Sequence, residues 1–212
     1  MIFEKLYIIS YIKNDQKRNK IKNILNKLSI TEFEFIYGID MNISDIYKTS
    51  IYDEREGNIF KIENTSPDTY ASHAISCGIA HFTALQHAYY SNINNCLIIE
   101  DDVLLYNDLI YVNNVLSYYP ENADIIQYGF ISLRDNKNEI YDKYYEVGKW
   151  YAGTQAYAVC NRYTLEKLIN NYLNIFYESD NYNLYNDMKI FNTNIPIFID
   201  PIYNNDLFYN YN

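Results

Sequence analysis

Residues 96–105 read CLIIEDDVLL, and the fold turns on this stretch. Cys96 to Ile99 form a short apolar run of the kind that fills a strand buried on both faces. Glu100, Asp101 and Asp102 then arrive together, and apolar residues resume at Val103. Crowded carboxylates repel one another, and burying them is costly unless something compensates. A metal ion, an arginine or water would each answer that need. The plainer alternative is a solvated turn at a strand end.

Upstream, LYIIS (6–10) reads as a buried strand. In YIKNDQKRNKIKNILNKL (11–28), Ile21, Ile24, Leu25 and Leu28 recur at helical spacing, with Asn14 or Asp15 placed to cap the start. EFEFIYGID (32–40) is a second strand with a turn at Gly38, which makes a β-α-β opening with parallel strands. Residues 41–70 are polar and without period, and read as an irregular or mobile excursion with one helical turn. SHAISCGIAHFTALQHAYY (72–90) is helical, through Ile75, Ile79, Phe82 and Leu85.

Downstream of the acids, residues 107–119 form a helix capped by Asn107 and ended by Pro120. DIIQYGF (124–130) is a strand and 131–150 a charged connection. GTQAYAVCNRYTLEKLINNYL (153–173) is a strand and then a helix, and IPIFIDPIY (195–203) is the last strand. Strands alternate with helices, so the class is α/β with a largely parallel sheet, in one domain over residues 1–212. In such sheets ligands gather at the carboxyl ends of strands, which is where the acids fall.

Composition narrows the function. Formal net charge is −10, which disfavours nucleic acid and anionic lipid as partners, although KNDQKRNKIK (13–22) is locally basic. The 26 tyrosines would suit a sugar-binding surface, but the accompanying Ile, Asn and Lys also fit an AT-rich coding sequence, so the count carries no functional weight. Three cysteines, Cys77, Cys96 and Cys160, do not make a disulfide framework and read as reduced thiols. The amino terminus lacks the flanks of a signal peptide, and no stretch has the apolar length of a membrane span. The expected location is the cytoplasm, or the periphery of a membrane.

Five stretches in order then carry a resemblance: YIISYIKNDQKRNKI, FEFIYGID, AISCGIAHFTAL (74–85), LIIEDDVLL and GTQAYAVCNRYTLEKL. Together they resemble glycosyltransferase family 25, the lipopolysaccharide and collagen galactosyltransferase-like group, along roughly four fifths of the chain. AISCGIAHF matches a family motif of the form G-E-I-G-C-x-x-S-H, with Ala74, Ser76 and Ala80 replacing Glu, Gly and Ser. The resemblance implies a Rossmann-like, A-type glycosyltransferase fold and an inverting transfer of a hexose, galactose or glucose, from a UDP-sugar. The acceptor would be a glycan, lipopolysaccharide or hydroxylysine- or protein-linked group.

A nucleoside diphosphate leaving group gathers negative charge as the glycosidic bond breaks, and a divalent cation stabilises it. Oxygen ligands suit Mn²⁺ or Mg²⁺. Glu100 and Asp102 are the expected metal ligands, with Asp101 turned toward ribose or a neighbouring side chain. Inversion needs a base for the acceptor hydroxyl. Asp187 fits the family's spacing before the last strand and Asp180 is the other candidate, unless both are loop acids or helix caps. Arg18 is expected near the diphosphate or as a solvated helix charge. His81, Gln155 and Tyr157 are expected at the donor, His81 and Tyr157 having a core role as the alternative.

His73, Cys77 and His81 share one helix face at i, i+4 and i+8, a spacing open to zinc, with no fourth ligand evident and Cys77 read as packing. Two other functions compete. One is a sugar-nucleotide-binding or scaffolding protein that keeps the fold without turnover, suggested by Ala74 and Ala80. The other is a metal-dependent phosphotransferase or nuclease, disfavoured by the acidic charge and by the lack of a phosphate-cradling glycine loop.

Overall fold

The computed structural model describes residues 2–38, 51–53, 58–60, 69–129, 140–141, 143–147, 153–174 and 182–201. Its frame is an eight-stranded sheet in the order β2-β1-β5-β10-β7-β11-β9-β8. The strands are β1 (Lys5–Ser10), β2 (Glu34–Tyr37), β5 (Cys96–Glu100), β7 (Ile125–Gly129), β8 (Ile140–Tyr141), β9 (Tyr144–Val147), β10 (Ala156–Val159) and β11 (Ile190–Thr193). β1 pairs in parallel with both β2 and β5, and β7 in parallel with β11. β10 is inserted antiparallel between β5 and β7, so β1, β2, β5, β7 and β11 all point the same way. This is a mixed α/β fold with a mostly parallel central sheet, as the alternation of elements predicts.

Among the described residues, four α-helices cover the two faces. α1 (Asp15–Lys27) and α3 (Leu109–Leu116) pack Ile21, Leu25, Val112 and Val115 against Leu6, Ile8, Leu97 and Ile99. α2 (Thr69–Tyr90) and α4 (Arg162–Asn174) pack Ala84, Leu85, Leu165 and Tyr172 against Tyr7, Ile9, Ile98 and Tyr157. Alternate residues of β1 and β5 therefore enter opposite cores, which is why those strands read as unbroken apolar runs.

Several boundaries differ from the sequence reading. The α1 cap is Asn14, whose side chain accepts from the Lys17 backbone N–H, whereas α3 is capped by Asp108 rather than Asn107. Both ends follow from an Asn or Asp side chain that satisfies an otherwise orphaned N–H. Most of 41–70 lies outside the described residues; β3 (Ile51–Asp53) and β4 (Asn58–Phe60) pair antiparallel within it.

The last strand of the main sheet is β11, in a segment to which the sequence analysis assigns no strand. Asn192 and Thr193 are fully buried there and break the apolar pattern that marks strands in sequence. Of the expected strand at 195–203, the described residues 195–201 form only β12 (Phe198–Ile199), which pairs with β6 (Leu104–Leu105) in a separate two-stranded sheet. That crossing runs over the end of β7, where a Cβ on Gly129 would stand 2.7 Å from the Phe198 carbonyl oxygen. β9 is likewise hidden in the charged connection of 131–150. Among the described residues, no helix is long and apolar enough to cross a membrane.

Candidate active site

The three acids stand where β1, β5 and β10 come together. The Glu100 N–H donates to the Gln155 carbonyl oxygen at 2.8 Å, and the Asp101 N–H to that of Ile9 at 3.0 Å. The backbone is thus clamped from both neighbouring strands, and the side chains diverge. Glu100 leans to the α2 face, Asp101 meets the end of β1, and Asp102 reaches α1.

Each carboxylate has its own partner. Glu100 Oε1 accepts from Thr154 Oγ1 at 2.9 Å and lies 3.3 Å from His81 Nε2 and 3.9 Å from Cys77 Sγ. His81 is fully buried, and its other ring nitrogen, Nδ1, lies 3.1 Å from the Tyr157 hydroxyl, with the two rings stacked. Ser10 Oγ donates to Asp101 Oδ2 at 2.6 Å. Lys17 Nζ pairs with Asp102 Oδ2 at 2.9 Å. Positive charge among the acids is therefore supplied by Lys17, a residue the sequence reading passes over.

The electrostatics follow these partners. Burial alone would raise the Glu100 carboxyl, but the hydrogen bond and charge of the His81 ring, the Thr154 hydroxyl and the Lys17 charge hold it below the ordinary carboxylate value. Burial pushes Asp101 up; the Ser10 hydrogen bond opposes this and the Asp102 charge adds to it, with a net rise. Burial would lower the Lys17 ammonium, yet its bond to Asp102 and the pull of all three acids raise it overall. Glu100 is thus held ionised, whereas Asp101 is the more inclined of the two to keep a proton.

The residues expected at the donor are all buried, the core placement that the sequence left open for His81 and Tyr157. Arg18 is mostly buried within the β1–α1 turn, where its guanidinium donates to the carbonyls of Tyr11 (2.6 Å) and Ile12 (2.8 Å) and pairs with Asp15. It is not a solvated helix charge; its hydrogen bonds shape the loop. His81 and Tyr157 are both buried and act on Glu100 from beneath. Gln155 is also buried, and its Oε1 has no hydrogen-bond partner among the described residues. Gly153 precedes it with φ +116, and a Cβ there would stand 2.2 Å from that same Oε1.

Asp187 is not brought to the acids. Ile190 lies in register with Ile125, Ile125 with Val159, and Val159 with Cys96. The start of β11 therefore shares the edge where β5 begins, about 13 Å along the strand from Glu100. Asp187 sits in the turn beyond that edge with φ +58, its carbonyl oxygen accepting from Lys167 Nζ at 2.8 Å. Its spacing would bring it to the acids only if 195–203 were the last strand of the main sheet, and that place belongs to β11. Asp180 lies outside the described residues, as does the His73 side chain.

Three residues escape the sequence reading: Lys17, Ser10 and Thr154. Lys17 carries a signal, because a lysine in the first turn of a helix opposes the macrodipole and calls for an acidic partner. Thr154 lies in the GTQAYAV stretch, but only the pairing of β10 with β5 sets it beside Glu100.

Asp102 fits a hard cation. Its carboxylate is an oxygen donor, 34% exposed, at a strand's carboxyl end, and Mg²⁺ or Mn²⁺ sites commonly use one or two carboxylates with water and phosphate oxygens completing the shell. Glu100 is turned to the opposite face of the sheet and does not share that position.

A mostly parallel α/β sheet with acids on its carboxyl edge defines a ligand-binding enzyme frame of the Rossmann-like kind. The sequence profile of glycosyltransferase family 25 (LPS biosynthesis protein) matches residues 3–183, and the chain belongs to that family: it is a glycosyltransferase. No curated protein matches it by sequence. Similar solved structures include A197 from STIV, at 15% identity over 92% of this chain and 82% of that one, TM-score 0.47. A mannose-1-phosphate geranyltransferase from Thermus thermophilus is similar at 10% identity over 93% and 75%, TM-score 0.48. The galactosyltransferase LgtC, in complex with donor and acceptor sugar analogues, is similar at 11% identity over 88% and 72%, TM-score 0.45. Likeness this distant says nothing about donor or acceptor.

Proposed function

We propose that the chain moves a hexose, galactose or glucose, from a UDP-sugar to a hydroxyl of a glycan, lipopolysaccharide or protein-linked acceptor, with inversion at the anomeric carbon. The observation that carries the reading is the divergence of the acids at the end of β5, which leaves Asp102 partly exposed between Lys17 and solvent. A divalent cation, Mn²⁺ or Mg²⁺, when bound there would neutralise charge on the departing diphosphate. Asp102 is the carboxylate that would hold it. Lys17, released from Asp102, is within reach of the same diphosphate as a mobile point charge. Asp101, tied to Ser10, faces the ribose side of the strand end, and Gln155 Oε1 is the buried acceptor offered to a sugar hydroxyl.

The acceptor hydroxyl must lose its proton during in-line attack, and the proton goes to a carboxylate opposite the leaving group. Asp180 is the better candidate. Tyr172, in the last turn of α4, packs on Phe82, the neighbour of His81, with ring centroids 5.6 Å apart. α4 therefore ends level with the acids, and Asp180 follows its last residue, Asn174, by six positions in sequence. None of the three cysteines is disulfide-bonded, which suits a cytoplasmic location.

The replacements that suggest a turnover-free protein do not favour that reading at Ala80, which is fully buried in the core. The test is a panel of nucleotide sugars scored by thermal stabilisation with and without Mn²⁺, followed by nucleotide release and transfer assays. A UDP-hexose should stabilise the protein only with metal, and Asp102→Asn should abolish both stabilisation and transfer while leaving the fold intact. Tighter binding of a guanosine or cytidine donor, or undiminished Asp102→Asn activity in EDTA, would overturn the assignment.

A further inference from the structure

The face of β5 opposite Asp102 carries a second constellation. Cys77 and His81 stand one turn apart on α2, so both side chains point to the same side of the helix. Glu100 reaches toward them from the sheet. Cys77 Sγ, His81 Nε2 and a Glu100 carboxylate oxygen all lie within 4.8 Å of one another, with His81 Nε2 3.3 Å and Cys77 Sγ 3.9 Å from Oε1. Ligands bound at 2.0–2.3 Å to a tetrahedral zinc ion sit about 3.3–3.6 Å from each other. The three atoms are thus close to the spacing that a single ion would impose, and small side-chain movements close the rest.

We infer that Cys77, His81 and Glu100 form a site for a borderline-soft divalent cation of the zinc class, separate from the hard-cation position at Asp102. Three observations point the same way. The donor set is one sulfur, one imidazole nitrogen and one carboxylate oxygen, which suits zinc better than Mn²⁺ or Mg²⁺. The His81 ring is fixed through its other nitrogen by Tyr157, and a hydrogen bond on the far nitrogen is the usual support of a metal-bound imidazole. Thr154 Oγ1 holds the same Glu100 oxygen from the side, which orients the carboxylate.

Three protein ligands leave a fourth position for water, and Glu100, 23% exposed, gives solvent a route to it. Binding replaces the Cys77 S–H with a sulfur–metal bond and releases that proton to solvent; His81 Nδ1–H then donates to the Tyr157 hydroxyl. The ion would tie α2 to the end of β5 and hold Glu100 on the α2 face. Such a site is independent of which donor or acceptor the enzyme uses.

Cobalt(II) is the probe. The purified 212-residue chain, stripped with chelator, should take up one equivalent of Co²⁺. It should develop a thiolate-to-cobalt charge-transfer band in the near ultraviolet and intense tetrahedral bands in the visible, and zinc should displace both. Cys77→Ser should lose the charge-transfer band, and His81→Gln should weaken binding at least tenfold. Asp102→Asn should keep the full cobalt spectrum, because that residue belongs to the other site. If a variant fails to fold, the wild-type spectrum and zinc competition still decide. Absence of a thiolate band in the wild type, its survival in Cys77→Ser or its loss in folded Asp102→Asn would each overturn the inference. A negative result leaves the glycosyltransferase reading standing, since UDP-hexose transfer is measured without cobalt or zinc.

Discussion

Lys17 Nζ stands 2.9 Å from Asp102 Oδ2, joining the third residue of α1 to the turn just past β5. The two side chains are 41% and 34% exposed, so solvent screens their attraction and the pair contributes about 0–1 kcal/mol to folding. Its importance lies in function. An exposed lysine holding an acid that is assigned to a cation, beside the proposed diphosphate position, can exchange one anion for another at little cost.

Lys17→Met should therefore change the melting temperature by no more than a few degrees. It should raise the donor KM about tenfold, which corresponds to about 1.4 kcal/mol of lost phosphate interaction. The donor KM of the wild type should also rise with salt more steeply than that of the variant. A variant whose donor KM matches the wild type at low salt would remove Lys17 from the donor site.

Arg18 is expected to behave in the opposite way. Its guanidinium holds the Tyr11 and Ile12 carbonyls and Asp15, and its plane lies over the Tyr37 ring, 5.5 Å from the centroid. A lysine cannot fork between two carbonyls. Arg18→Lys should cost about 1–3 kcal/mol of stability through the donors it fails to supply. Residual activity per folded molecule should stay near the wild-type value, measured by denaturant unfolding beside steady-state kinetics. A normal midpoint with a collapsed kcat would return Arg18 to the diphosphate.

The base assignment separates two aspartates. Asp180→Asn should lower kcat by about 10²–10⁴-fold with donor affinity nearly constant, as expected for loss of a general base. Asp187→Asn should be mild in both activity and stability, since asparagine tolerates the positive φ found there. The reverse pattern would show that the turn at Asp187 reaches the acceptor after all. Normal rates in both variants would leave the proton to another acid.

Glu100 predicts a pH effect whose sign is fixed. Its folded pKa lies below the usual glutamate value of 4.5, so the ionised carboxylate is bound more favourably in the folded state. That contribution is fully present above 4.5 and is lost as pH falls through the lowered folded value. Thr154→Val removes one hydrogen bond to Glu100 Oε1 and should reduce stability at neutral pH by about 1–3 kcal/mol. The gap between variant and wild type should narrow as pH drops below 4.5, followed by thermal unfolding across the acid range. A gap that widens with acidification would mean that Thr154 supports the protonated carboxyl instead.

The α/β class, β1-α1-β2, β5 with its three acids and β10 followed by α4 are all legible from residue order. Each depends on a short-range pattern: a buried strand needs only consecutive apolar residues, and an amphipathic helix only its 3.6-residue period. The same local logic misses β11, because Asn192 and Thr193 are buried polar residues that no periodicity marks, and so it places Asp187 at the wrong edge of the sheet. Which acid meets which partner is a different kind of fact. Lys17 reaches Asp102 across 85 positions of sequence, and Thr154 reaches Glu100 across 54. Those distances are closed only by strand pairing and by the packing of α1 and α2 on opposite faces. The sequence determined that three carboxylates would crowd one strand end; the tertiary structure decided that they part, Glu100 to His81, Asp101 to Ser10 and Asp102 to Lys17, because each carboxylate turns to the donor its own side of the sheet provides.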